Sequence, residues 1–179
     1  MDTSPITAQS DDQRALWRRI CAHDFEPDTP LNFTLRLARD HGWTLGEARA
    51  AVDAYRRFCF LAVVSRTPMT PSEAVDEVWH QHLIYSRDYW DVWCAQVLRK
   101  TLHHDPTPGG PEAQKNYRRT YAETLALHEA YFGPPDAILW PATHERFGSR
   151  PRYRTVDKER AFVVPRPSHV FRRAFGKDI

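Results

Sequence analysis

The chain has 179 residues, 41% of them hydrophobic and 27% charged, with 9 Phe, 7 Tyr and 6 Trp. That composition fills one core, and a mean hydropathy of −0.63 with no apolar run near the ~20 residues of a bilayer span argues for a soluble protein. The net charge of +2 selects no partner by itself. Its distribution is uneven: from Arg146 onward ten basic residues face three acidic ones. Such a basic extension has the character of an arm for an anionic partner.

Residues 1–9 read as a disordered leader, with neither the basic start nor the apolar stretch of a secretory signal. Ser10 and Gln13 form a capping-box pattern opening a first helix through Leu16, Trp17 and Ile20. Thr29-Pro30 predicts the cap and first position of a second helix carrying Leu31, Phe33, Leu35 and Leu37, which stops at Gly42. Thr44 and Glu47 open a third helix. Its Ala48, Ala51, Val52, Tyr55, Phe58, Cys59, Ala62 and Val63 recur at spacings of three and four, and its last turns are apolar almost all round. It is expected to be the central helix.

Thr70, Pro71 and Glu73 predict the cap, first position and box of a fourth helix, continuing toward Leu98 or Lys100 with a midway kink. A Pro/Gly loop over 103–111 leads to a fifth helix from about Glu112 to Phe132, ended by Gly133-Pro134-Pro135. Short turns or helical pieces follow at Trp140-Pro141 and Arg146-Phe147-Gly148, and one or two short strands are expected within Tyr153–Val164. The expectation is an all-α fold, an irregular bundle of about five helices over 10–148, with a largely irregular basic extension over 149–179.

Cys21, Cys59 and Cys94 are odd in number and widely spaced, without a CxxC pair. They read as small buried hydrophobes of a protein in a reducing cytoplasm.

The chemistry centres on histidine. On a helical projection Val75, Trp79, His82, Ser86, Tyr89, Trp93 and Val97 share one stripe, so His82 points to the core. His80 lies about 160° away, on the edge with Asp76, Arg87 and Asp91. Metallohydrolase helices put two histidines at i and i+4 on one ion. The i, i+2 spacing here forbids that for a regular helix, so help must come from His103 and His104 past the helix end. Two sets fit zinc or another divalent metal: His82 with His103 or His104, or Asp76 and His80 with the same loop. His128 is a further candidate if the fifth helix runs antiparallel to the fourth. The alternative is structural, with His82 a hydrogen-bonded core residue, His80 paired with Asp76, and His103-His104 interacting with a helix C-terminus. Asp76, Glu77, Asp88 and Asp91 are candidate acid–base carboxylates, although solvated helix carboxylates are common.

No Gly-rich phosphate loop or nucleophile elbow is present. Arg150, Arg152, Arg154, Arg172 and Arg173, interleaved with Tyr153, Phe162 and Phe171, form a candidate docking arm for a protein or nucleic acid.

Pro71-Ser72, the run Val75 to Leu83, Tyr89, Cys94 and the run Leu102 to Thr107 resemble the glycine-rich domain-containing-protein-like family. Tyr121, Thr124, Tyr131-Phe132-Gly133, Pro135 and Trp140-Pro141 are similar to its bacterial branch, so the likeness covers roughly 45–148. With only seven glycines the chain lacks the tail for which the family is named. The resemblance implies that Trp79, His80, His82, His103 and His104 belong to a shared motif. It implies no substrate.

Overall fold

A computed structural model describes residues 10–26 and 29–148, with 159, 160, 162 and 164. The described residues are all-helical: α1 (Asp11–Ala22), α2 (Phe33–His41), α3 (Leu45–Val64), α4 (Glu73–Ile84), α5 (Asp88–Leu98), α6 (Gly110–Phe132) and α7 (Thr143–Gly148). Among them no helix is long and apolar enough to cross a membrane. The expected docking residues Arg150, Arg152, Arg154, Arg172 and Arg173, and most of the expected strand region, lie outside the described residues.

Local chemistry sets most boundaries. Ser10 with Gln13 and Thr44 with Glu47 each form a reciprocal capping box. Gly42 closes α2 in the left-handed conformation (φ 66°), which costs glycine nothing. Two starts fall later than expected. Asn32, not Thr29, caps α2 by accepting from the Leu35 N–H, and Ser72, not Thr70, caps α4 by accepting from the Val75 N–H. The Thr-Pro pair precedes the cap in both, with Leu31 between Pro30 and Asn32 and nothing between Pro71 and Ser72. A proline biases its predecessor to extended backbone, so Thr-Pro here leads into the helix without being its first turn. Thr70 is free to bind elsewhere: its N–H donates to Thr124 Oγ1 (3.1 Å), and its hydroxyl pairs with Thr120 Oγ1 (2.6 Å).

The third helix is central. It packs against α1, α2, α4, α5 and α6, and Tyr55, Phe58, Cys59, Phe60 and Leu61 are wholly buried. Burial on every side explains why its last turns are apolar all round. Cys59 and Cys94 are buried as expected, whereas Cys21, in the last turn of α1, is exposed.

The long fourth helix expected from periodicity is two elements. At Tyr85 the backbone leaves the helical region (φ −80°, ψ 54°), its N–H turning back to the His82 carbonyl (3.0 Å). After Ser86 and Arg87 the chain resumes as α5, wound as a π-helix. Its buried residues Tyr89, Trp93, Cys94, Val97 and Leu98 follow the wider turn of that geometry. Arg99 ends it at a positive φ of 55°, and the following loop runs back toward α4.

Replacing Ser72 by Ala should destabilise the fold by about 1 kcal/mol, because the cap of α4 is lost. Urea unfolding followed by circular dichroism measures this; an unchanged midpoint would contradict the assignment of the cap.

Candidate metal centre

Residues 80 and 82 point to opposite sides of α4, as helical geometry requires. His82 is completely buried, while the His80 side chain is half exposed at 50%. Each joins a different cluster.

The inner cluster is His23, His82 and Asp88. Asp88 Oδ2 lies 2.8 Å from His82 Nε2 and 3.1 Å from His23 Nε2. His82 Nδ1 lies 3.0 Å from the Tyr55 hydroxyl. Phe25, Phe33, Tyr89 and Trp93 surround the His82 ring at centroid distances of 5.0–6.0 Å. Burial in this aromatic cage pushes the His82 pKa down, against the hydrogen bond and charge of Asp88, which raise it. Burial pushes the Asp88 carboxyl up, but the two imidazole hydrogen bonds outweigh it and hold the group below the usual carboxylate range. One arrangement satisfies all of this: an ionised Asp88 accepts N–H from both imidazoles, and neutral His82 takes the Tyr55 O–H on Nδ1. Arg56 closes the set from α3, its Nη2 donating to the His23 carbonyl (2.7 Å) with the guanidinium over the Phe25 ring.

The outer cluster is Asp76, His80 and His104. Asp76 and His80 stand one turn apart, with Asp76 Oδ2 and His80 Nε2 at 3.9 Å. Asp76 Oδ1 lies 2.8 Å from His104 Nε2, and the His80 and His104 ring centroids are 4.5 Å apart. What brings His104 here is a polar strut. Trp79 Nε1 donates to the Tyr89 hydroxyl (2.9 Å), which donates in turn to the Leu102 carbonyl, so α4 and α5 together hold the loop. The Trp79 ring then meets His104 at 4.4 Å. The hydrogen bond from Asp76 pushes the His104 pKa up, against the opposing effect of burial. Charge also couples this cluster to its neighbours: His80 and Asp76 act on the Glu77 carboxyl, Asp105 acts on His104, and Asp76 acts on the Arg146 guanidinium.

In both clusters one donor atom from each residue lies within 4.8 Å of the others. Two ligands of a tetrahedral zinc at about 2.0–2.1 Å are about 3.4 Å apart. In the outer cluster Asp76 Oδ1 to His104 Nε2 is 2.8 Å and Asp76 Oδ2 to His80 Nε2 is 3.9 Å, on either side of that figure.

The other expected residues stand apart. His103 packs beside Trp90 (5.7 Å). His128 is buried on α6 against Phe132 and Trp140, with Nδ1 on the Gly133 carbonyl (3.1 Å). His23 has no signal in the sequence, since its partner Asp88 is 65 residues away and the break that delivers Asp88 carries no Gly or Pro between Pro71 and Pro106.

The UCP032817-like family model matches residues 29–124, more than half of the 179-residue chain. The chain belongs to the UCP032817-like family. No curated protein and no solved structure matches it. The matched span holds the whole outer cluster, together with His82, Asp88 and Tyr55, and excludes His23. What the family match covers is therefore α2 to α5 and most of α6, with the His104 loop between them.

Because its folded pKa is raised, protonated His104 stabilises the fold through Asp76. The contribution is complete below the unfolded value of about 6.5 and is lost as pH rises through the folded value. In chelator-treated protein, His104→Gln should therefore cost more stability at about pH 5.5 than at about pH 8.5. Equal losses in urea unfolding at the two pH values would contradict the ion pair.

Proposed function

We propose that this protein binds one divalent transition metal, zinc fitting best, through Asp76 and His80 of α4 and His104 of the following loop. The observation that carries this reading is the convergence of two imidazoles and one carboxylate at a partly exposed surface, with the Asp76–His80 pair at one helical turn. Two histidines and a carboxylate form a facial donor set that leaves coordination positions open, and zinc accepts imidazole and carboxylate together.

Burial separates this cluster from the inner one: Asp76 and His80 are partly exposed, whereas His82 is wholly buried. Around Asp76, His80 and His104 the acidic Glu77 and Asp105 favour a cation, with the Arg146 guanidinium acting on Asp76 in the opposite sense. Around His82 the Arg56 guanidinium also opposes one, and no surface of that side chain admits an ion. An ion at the inner cluster would also displace both N–H protons that Asp88 holds. We therefore assign His23, His82, Asp88 and Tyr55 to bracing the core, and the metal to the outer face.

The resemblance to the glycine-rich domain-containing-protein-like family belongs to this proposal, since the segments that carry it, Trp79 to His82 and His103-His104, build or support the outer cluster. A reducing, cytoplasmic setting suits the three free cysteines.

The test is elemental analysis of untagged protein after zinc loading and removal of excess ion. Wild type should carry about one equivalent, His80→Ala/His104→Ala and Asp76→Ala should lose it, and Tyr55→Phe should keep it. Metal retained in the double variant, or none in a folded wild type, would overturn the proposal.

A further inference from the structure

Residues 76–80 read Asp-Glu-Val-Trp-His. Around α4, His80 lies about 40° from Asp76 and Glu77 about 100° from it in the same sense, while Trp79 lies about 60° the other way. His104 takes the Trp79 flank, its ring 4.4 Å from Trp79 and 4.5 Å from His80. The opposite flank, beyond His80, belongs to Glu77. Its side chain is one-quarter exposed (26%), with Oε2 3.8 Å from His41 Nε2 of α2. On this projection His104 and Glu77 flank the Asp76–His80 pair on opposite sides, and the Glu77 carboxylate couples through charge to His80.

This is the order of parts in helices that hydrolyse peptide bonds: ligands at i and i+4, and a glutamate at i+1 that takes the proton from water. Here an aspartate replaces the first histidine. Its negative charge weakens the pull of the ion on a bound water, which leaves more of the activation to a neighbouring base.

We propose that Glu77 is the general base of a hydrolytic site whose substrates are carboxylic esters or amides. The inference rests on the metal site proposed above. Water at the open position gives its proton to the Glu77 carboxylate, and its oxygen bonds to the acyl carbon. The bond from that carbon to the leaving oxygen or nitrogen then breaks, and Glu77 returns the proton to the leaving group. No electrons are gained or lost, and water is the only co-reactant. The partial exposure of Asp76, His80 and Glu77 gives an acyl group access from solvent.

The experiment uses the zinc-loaded full chain with p-nitrophenyl acetate, comparing wild type with Glu77→Gln, and a cobalt-substituted pair followed by visible absorption against pH. Glu77→Gln should keep one equivalent of metal while its kcat falls about 10²- to 10⁴-fold, the usual contribution of a general base. The pH at which the cobalt spectrum changes should also move. A metal-loaded Glu77→Gln protein with the wild-type rate and an unmoved cobalt titration overturns the role of Glu77. A metal-loaded wild type that does not hydrolyse the ester overturns it as well. In either case the metal site itself stands. Failure of wild type to hold metal at all would instead remove the reading on which this one rests.

Discussion

The contact between Asp88 and His82 is the constraint from which the rest follows. In a straight α-helix residues six apart are separated by about 9 Å along the axis and about 120° around it. A carboxylate and an imidazole so placed cannot meet. Their 2.8 Å hydrogen bond therefore demands the break at Tyr85. The break shortens α4, re-aims the chain as a π-wound α5 and places the Tyr89 hydroxyl against Trp79. His82 has a partner on each nitrogen, Tyr55 on Nδ1 and Asp88 on Nε2, and Asp88 reaches it only because the helix ends where it does. Asp88 also reaches His23 just past the end of α1, so a single carboxylate ties three parts of the chain together.

With the inner face so occupied, the outer face of α4 is left for other chemistry. The two faces differ in both burial and charge. Inside, an ionised Asp88 is matched by two imidazole N–H donors, so its charge is already answered. Outside, Asp76 faces two imidazoles near the surface, with Glu77, Asp105 and Arg146 as the further charges. A cation can reach the outer group from solvent, whereas His82 is wholly buried. The strut from Trp79 through Tyr89 to Leu102 couples the faces: the residues that close the core also hold the loop bearing His104. Rigid support of this kind is what a metal site needs from its surroundings.

Much of the fold is legible in the sequence. The helix class, the central position of α3, two capping boxes and the glycine stop of α2 all follow from local patterns that the structure repeats. The opposition of His80 and His82 follows from helical period alone. What the sequence hides is longer in range. Periodicity carries straight through Tyr85, because the apolar spacing from Trp79 to Val97 suits one continuous helix, with no Gly or Pro to mark the break. His23 is invisible because its role depends on that break. The Thr-Pro pairs misplace two helix starts by resembling cap and first position while acting as lead-ins to Asn32 and Ser72. The grouping of Asp76 and His80 with the His103-His104 loop is readable on one condition, that the chain folds back. Tyr85 and Arg99 meet it, and the geometry then selects His104 over His103.

The central claim is that the two faces of α4 divide the work, structure inside and cation outside. Nitrogen-15 imidazole spectra of the full chain, recorded while zinc is titrated in, test it most directly. Signals of His80 and His104 should shift to metal-bound values with one equivalent, while His82 keeps its neutral, Nε2-protonated signature and His23 stays unchanged. Zinc-dependent shifts at His82 and His23, with His80 and His104 unmoved, would contradict it.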